Sequence, residues 1–182
     1  MLENQLVIAQ TKRWIKEIVI GCNFCPFAAK EIKQNTIHFE VDHSTKMKET
    51  VKIFLNECIR LDENENIETS LLIIPGSFKR FDDYLDLVFH AENLLKKKKY
   101  TGIYQVASFH PEYLFSGSTL DDPANFTNRS PYPMLHILRE ESVEKALSNF
   151  PNPEKIPANN INFTREKGFA YMKMLYDACL KS

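Results

Sequence analysis

The spacing of apolar residues along the chain predicts alternating helices and strands. Trp14, Ile15, Ile18 and Val19 recur at helical spacing, which predicts a helix over Thr11–Ile20. Further helices are predicted after the N-cap residue Ser44, over Phe78–Lys97, over Glu141–Phe150 and over Thr164–Leu180. Runs of strand-forming residues predict strands over Thr36–Val41, Ser70–Ile74, Gly102–His110 and Leu135–Leu138. The stretch Pro151–Pro157 is predicted to be irregular.

The order of these elements indicates the fold class. Helices separate the first three strands, which favours parallel or mixed pairing, whereas the last two strands flank a long loop and can pair antiparallel. We therefore predict an α+β fold, a small sandwich in which helices pack on a mixed sheet of about four strands. The length of 182 residues fits one domain, which we take to span residues 1–182.

Composition and charge exclude several classes of function. The net charge is −1, so no overall positive field would attract nucleic acid or an anionic membrane surface. No apolar stretch approaches the roughly 20 residues that a membrane-spanning helix needs, and the first residues lack the pattern of a secretion signal. We therefore expect a cytoplasmic protein whose four cysteines are reduced thiols. The oligomeric state is left open.

A polar loop at 121–133 lies between two apolar runs that carry His110 and His136. Loops of about 12–15 residues without secondary structure are uncommon in compact domains unless they are functional or disordered. The three prolines of this loop favour rigidity. We therefore predict that the loop is ordered and that it carries a binding site.

The loop supplies candidate side chains for binding an anionic small molecule. Asn128, Arg129 and Ser130 offer hydrogen-bond donors at successive positions, and the planar fork of Arg129 suits a carboxylate or a phosphate. The alternative for Arg129 is an internal ion pair with Asp121 or Asp122. Tyr132 is either a packing anchor or the floor of a pocket. The predicted substrate-binding residues are Asp122, Asn128, Arg129, Ser130 and Tyr132.

Three further residues are candidates for catalysis: Cys25, His110 and His136. If the last two strands pair antiparallel, the two histidine rings can converge at the base of the loop, where they could share a metal ion or act as a general base and its partner. The alternative is that each ring only hydrogen-bonds a loop carbonyl. Cys25 is either a nucleophile or a small buried hydrophobic residue. No metal site is assigned.

Cys22 and Cys25 form a C-x-x-C pattern, which occurs in redox dithiols. In thioredoxin-like proteins this pattern follows a strand, whereas the helical spacing of Trp14–Val19 indicates a preceding helix. A cysteine zinc site would need a second pair of ligands, and Cys58 and Cys179 are isolated in the sequence. The sequence therefore favours neither a redox dithiol nor a cysteine zinc site.

Five segments resemble the motifs of a conserved bacterial family, domain of unknown function 1415. They are Gly21–Ala28, Leu71–Pro75, Phe81–Asp86, Gln105–Tyr113 and Asp121–His136. The resemblance covers nearly the whole chain, and it implies no activity. Cys22 departs from the pattern, which has an aliphatic residue at that position, and Asn160–Phe163 follows the pattern only in part.

Three functions remain open at this point. The first is a small hydrolase or transferase that acts on an anionic substrate, and the second is a non-catalytic ligand-binding or protein-interaction domain. The third is a metal-binding protein that uses His110, His136 and an acid such as Asp122. Glycine-rich phosphate loops and dinucleotide fingerprints are absent from the sequence, which disfavours nucleotide binding, and the cofactor is left open. Asp82, Asp83 and Asp86 are interpreted mainly as solvated helix-start residues.

Overall fold

The computed structural model describes residues 3–148 and 150–181. Four strands form one sheet: β1 (Ile37–Val41), β2 (Thr69–Ile73), β3 (Tyr104–Phe109) and β4 (Met134–Arg139). The strand order is β1-β2-β4-β3, with β1 parallel to β2 and the other two pairs antiparallel. The predicted α+β fold with a mixed four-stranded sheet is therefore confirmed.

The described residues also form seven α-helices. These are α1 (Asn4–Trp14), α2 (Ala28–Gln34), α3 (Met47–Glu63), α4 (Phe81–Lys97), α5 (Glu140–Ser148), α6 (Ile156–Lys167) and α7 (Phe169–Cys179). A π-helix at Ile15–Ile20 continues α1, and 3-10 helices occupy Pro123–Thr127 and Pro153–Lys155. No helix in the described part of the chain is both long and apolar enough to cross a membrane.

A hydrophobic core lies on each face of the sheet. On one face, Leu71, Ile73 and Met134 pack with residues of α1, the π-helix and α7, including Trp14 and Met172. On the other face, Leu72, Leu135 and Ile137 of the strands and Ile74, which follows β2, pack with residues of α3 and α4 that include Phe54, Leu61, Tyr84 and Leu87. Successive strand residues point to opposite faces, so both sides of the central strands are apolar. Helices cover both faces, as the sandwich prediction requires.

One buried tyrosine connects the end of β3 to the start of β4 by hydrogen bonds beneath the long loop. The Tyr84 hydroxyl of α4 donates to the Met134 carbonyl at 2.6 Å and accepts from the Phe109 N–H at 2.9 Å. Phe109 and Met134 are partners in the β3–β4 ladder. The hydroxyl therefore joins the end of β3 to the start of β4, where the chain leaves and re-enters the sheet.

Several predicted boundaries differ from the structure. The first helix begins at Asn4 rather than Thr11, and the final predicted helix is interrupted at Gly168, whose φ of 82° places it outside helical backbone. Ser44 is not an N-cap: its hydroxyl donates to Asp42 at 2.8 Å, and α3 begins later, at Met47. The predicted irregular stretch before α6 contains a 3-10 helix. Residue 149, within the predicted helix 141–150, lies outside the described residues.

Candidate functional site

The 121–133 loop is built around a short 3-10 helix, Pro123–Thr127. The Asp122 carboxylate accepts from the Ala124 N–H at 3.0 Å, which caps this helix at its first turn. Asn125 is buried at the centre, where its side chain accepts from the Phe115 N–H and donates to the Thr119 carbonyl. Side chain to backbone hydrogen bonds therefore fix the shape of the loop.

Asp122 is also bound to an arginine from another part of the chain. Arg165 of α6 donates to the two carboxylate oxygens of Asp122, from Nη2 at 2.7 Å and from Nε at 3.2 Å. The Arg165 hydrogen bond, with help from the Ala124 N–H, lowers the pKa of Asp122. The ion pair of Arg129 with Asp121 or Asp122 that the sequence left open does not form among the described residues, and Arg165 binds Asp122 instead.

Three of the predicted ligand-binding side chains are turned inward. Asn128 donates to the Ser108 carbonyl at 3.2 Å, and Ser130 donates to the Tyr132 carbonyl at 2.6 Å. The Tyr132 hydroxyl donates to Gln10 of α1, and its ring lies in the first core. Burial raises the pKa of Tyr132. These side chains hold the loop against the end of β3 and against α1.

Arg129 is a predicted ligand-binding residue whose charged side chain has donors without a partner in the described part of the chain. Its Nε donates to the Tyr113 carbonyl at 3.3 Å and its Nη2 to the Leu120 carbonyl at 2.9 Å. Its guanidinium carbon lies 4.9 Å from the centre of the Phe126 ring, in a cation–π contact. In the described part of the chain, Nη1 has no hydrogen-bond partner and no carboxylate lies within 4.0 Å of the guanidinium.

The surroundings of Arg129 restrict its movement. Its carbonyl accepts from the Trp14 indole N–H at 2.9 Å, and its own N–H donates to the Asn125 carbonyl at 3.0 Å. The Phe126 ring beneath the guanidinium packs against Phe169 and Tyr176 of α7. Partial burial lowers the pKa of Arg129, because the charged form is desolvated. The Arg129 guanidinium is therefore a half-buried cation whose backbone and neighbouring Phe126 ring are held in place.

His110, at the start of the loop region, is buried and has both ring nitrogens engaged. Nδ1 accepts from the Glu112 N–H at 3.0 Å, so Nε2 carries the proton and donates to the Phe78 carbonyl at 2.9 Å. The ring packs against Phe81 and Tyr84 of α4, with centroids 5.3 and 4.9 Å apart. Burial lowers the pKa of His110, which favours this neutral form.

His136 lies on the opposite face of the sheet from His110. It is the ladder partner of Ala107, and its ring is 6.2 Å from that of Phe109. Its Nε2 is 2.7 Å from the Thr69 hydroxyl, which itself donates to the Ile137 carbonyl at 2.5 Å, so Nε2 donates. Burial lowers the pKa of His136 to about 4.

The expected convergence of the two histidines is therefore wrong. His110 follows Phe109 directly, and Phe109 shares a face with His136, so alternation of side chains along a strand separates the two rings. A metal site made of His110, His136 and Asp122 is excluded for the same reason, and because Asp122 is bound to Arg165.

Comparison with models of protein families matches residues 6–174 to the family described as protein of unknown function (DUF1415). The chain belongs to the DUF1415 family. No curated protein and no solved structure matched it. The family assignment confirms the resemblance read from the sequence motifs, and it names no activity.

In this DUF1415 protein Cys25 lies apart from both predicted catalytic histidines. Cys25 is partly exposed, and in the described part of the chain its thiol has no hydrogen bond to a histidine. A π-helix precedes Cys22, as the helical spacing indicated, so the strand of a thioredoxin-like frame is absent there. All four cysteines are free thiols.

One cluster of polar side chains in this DUF1415 protein was not predicted from the sequence. His38 and Glu40 of β1 meet Glu57 of α3 in a cluster whose ligand-type atoms all lie within 4.8 Å of one another. The available signal was the H-x-E spacing in a predicted strand, which places both side chains on one face. Glu57 in α3 is distant from these two residues in the sequence, so the sequence alone could not identify it as their partner. Asp82, Asp83 and Asp86 are exposed on α4, as expected.

Proposed function

We propose that this DUF1415 protein binds a small anionic ligand, a carboxylate or a phosphate, through Arg129. The observation that supports the proposal is a half-buried guanidinium that has no carboxylate partner in the described part of the chain. A guanidinium carries five N–H donors, of which two are used by the Tyr113 and Leu120 carbonyls. The remaining donors lie on the two amino groups, the edge that binds oxyanions in bidentate fashion.

The energetics favour an anion at this position. Removing a charge from water is costly unless the charge is paired, and the direct hydrogen bonds of the Arg129 guanidinium go to two neutral carbonyls. The Glu112 carboxylate favours the charged form of Arg129 without forming an ion pair within 4.0 Å. A bound carboxylate or phosphate would supply a counter-charge in direct contact. The frame is already fixed by Trp14 and Phe126, so little side-chain freedom would be lost on binding.

The other predicted binding residues take supporting roles in this proposal. Asn128, Ser130 and Tyr132 orient the loop from within, and Asp122 ties the loop to α6 through Arg165. We do not assign them contacts with the ligand. Asn128, Ser130 and Tyr132 hold the part of the loop that carries Arg129, whereas the Asp122–Arg165 ion pair, which lysine at position 165 can keep, joins the start of the loop to α6.

The proposal concerns binding and not a reaction. A hydrolase or transferase needs a nucleophile or carboxylate beside a proton carrier, and this arrangement does not occur among Cys25, His110 and His136 in the described contacts. Catalytic roles for these three residues, and a cytoplasmic location, stay predictions. A non-catalytic ligand-binding domain is the function that the geometry supports best.

Thermal stabilisation by anions tests the proposal. Unfolding temperatures are measured for wild type, Arg129→Lys and Arg165→Lys in a concentration series of inorganic phosphate, acetate and citrate at constant ionic strength. Arg165→Lys is the matched control, because Arg165 binds the same loop but its guanidinium is already paired. Saturating ligand stabilises the folded state by about 2.7 kcal/mol when present at about one hundred times Kd.

We expect at least one anion to stabilise wild type and Arg165→Lys, with the effect reduced in Arg129→Lys by about 1–3 kcal/mol of binding free energy. Arg129→Lys also loses hydrogen bonds to two carbonyls, so a lower unfolding temperature without ligand is expected and does not bear on the proposal. Equal stabilisation of all three proteins, or of none, would contradict it.

A further inference from the structure

A second polar site lies between the edge strand β1 and helix α3. His38 Nε2 is 3.4 Å from Glu40 Oε2 and 3.5 Å from Glu57 Oε2. We propose that His38, Glu40 and Glu57 bind a divalent first-row transition-metal ion such as Mn²⁺ or Zn²⁺. This site is independent of Arg129 and goes beyond the anion-binding function.

The fold brings these three residues together for simple reasons. His38 and Glu40 are two positions apart in β1, so their side chains lie on the same face of the sheet. Helix α3 covers that face, and Glu57 near its middle is 1% exposed. His38 is the ladder partner of Ser70 in β2, which places Ser70 beside the cluster.

The spacing of the ligand atoms fits a metal better than direct hydrogen bonds. The His38–Glu40 contact at 3.4 Å is a long hydrogen bond, and both distances from His38 Nε2 lie beyond the usual N–H···O range of about 2.7–3.2 Å. Ligand bonds of about 2.0–2.1 Å in a tetrahedral site place neighbouring ligand atoms about 3.4 Å apart. The two distances from His38 Nε2, 3.4 and 3.5 Å, match that separation, and the third, between Glu40 and Glu57, lies within 4.8 Å.

Glu57 is held in place by two residues that leave it free to bind a metal. Ser70 donates to Glu57 Oε2 at 2.7 Å, and Arg60 donates from Nε to the other oxygen, Oε1, at 3.0 Å. A carboxylate oxygen has a second lone pair, so Oε2 can accept from Ser70 and still bind an ion. Such supporting hydrogen bonds orient metal ligands in known sites.

The charges also favour a cation. The cluster holds two carboxylates, and Arg60 is its nearby cation, with Nη2 3.7 Å from Glu40 Oε2. When His38 is neutral, as a metal ligand must be, one arginine leaves one negative charge uncompensated next to a buried glutamate. A divalent ion bound by the two Oε2 atoms and His38 Nε2 would more than offset that charge and leave the Arg60–Glu57 contact intact.

Ligand type and access indicate the kind of ion. Imidazole with carboxylate suits Mn²⁺, Fe²⁺ and Zn²⁺, and Zn²⁺ binds more tightly than Mn²⁺ at a given site. Three protein ligands leave a position for water, the arrangement found in catalytic zinc sites. The side chains of His38 and Glu40 are 27% and 35% exposed, so an ion can enter from solvent.

The test uses Mn²⁺, whose free ion has an electron paramagnetic resonance signal that weakens on binding and whose ligand preference is for oxygen over thiolate. Wild type, His38→Gln, Glu40→Gln, Ser70→Ala and the control His90→Gln are titrated, with circular dichroism to verify folding. His90 is an exposed histidine on α4, away from the cluster. Zn²⁺ is then added to displace bound Mn²⁺.

We expect one Mn²⁺ per chain in wild type and His90→Gln, displaced by Zn²⁺. Affinity should fall by at least about tenfold in His38→Gln and Glu40→Gln, and by about 10–100-fold in Ser70→Ala, which removes the supporting hydrogen bond. Failure of wild type to bind one Mn²⁺ saturably would overturn the proposal. Equal binding by folded His38→Gln would do so as well, since the ion would then lie elsewhere.

Discussion

His136 should make the folded state less stable as the pH falls below neutrality. Burial lowers the pKa of His136 to about 4 in the folded protein, whereas an unfolded histidine has a pKa of about 6.5. Between these values the unfolded chain binds a proton that the folded protein does not. The stability that depends on the neutral ring is therefore fully present above pH ~6.5 and is lost as the pH falls towards 4.

The size of the effect follows from the two pKa values. Between pH 7.5 and pH 5 the linkage relation gives a loss of about 2 kcal/mol in the free energy of unfolding from this one ring. His136→Gln removes the titrating group and keeps an N–H that can donate to Thr69, as His136 Nε2 does. We therefore expect the variant to lose about 2 kcal/mol less than wild type over that range.

Urea unfolding followed by circular dichroism at pH 7.5 and pH 5 measures this difference. His110, whose pKa is also lowered by burial, is present in both proteins and contributes equally to both. His90→Gln, a change at an exposed position, is the control and should behave like wild type. An equal loss of stability in His136→Gln and wild type would refute the reasoning.

Three further predictions concern the stability of Tyr84 and Gly21 variants and the reactivity of Cys25. Tyr84→Phe removes a hydrogen-bond partner from a buried carbonyl and from a part-buried N–H, so it should lower the free energy of unfolding by about 1–3 kcal/mol in urea titrations. Gly21→Ala places a Cβ 2.3 Å from the Glu17 carbonyl oxygen and should lower the free energy of unfolding by about 1–3 kcal/mol. The control Gly76→Ala, whose Cβ meets nothing within 4 Å, should lower it much less. Equal unfolding midpoints for the two variants would contradict this expectation. Cys25 should react first with a thiol reagent in the native protein, because burial raises the pKa of the other three thiols, and mass spectrometry would identify the labelled residue.

The sequence predicted the elements whose burial leaves a strong periodic signal. The apolar run of β2, buried throughout, and the stripe of α4 were both identified. Helix α2 was not predicted, because none of its residues is buried and it therefore has no apolar stripe. The break at Gly168 depends on a positive φ that a single glycine in a helical pattern does not reveal.

The site was harder to predict because it depends on pairing between distant residues. The sequence located the loop and Arg129, but the partner of Asp122 is Arg165, far along the chain in α6. Strand alternation alone gives the face of His110 relative to its neighbours in β3. The face of His136 follows only from the ladder register with Ala107, which one sequence does not supply.

The side-chain resonances of Arg129 give the most direct test of anion binding. A nitrogen–proton correlation spectrum of labelled protein is recorded during titration with the anion that most stabilises wild type, and the Arg129 signals are assigned by their loss in Arg129→Lys. The account predicts a saturable shift of the Arg129 guanidinium signals, while exposed Arg80 shows no saturable change. Arg129 signals that stay in place, or that move in proportion with those of Arg80, would contradict the central claim.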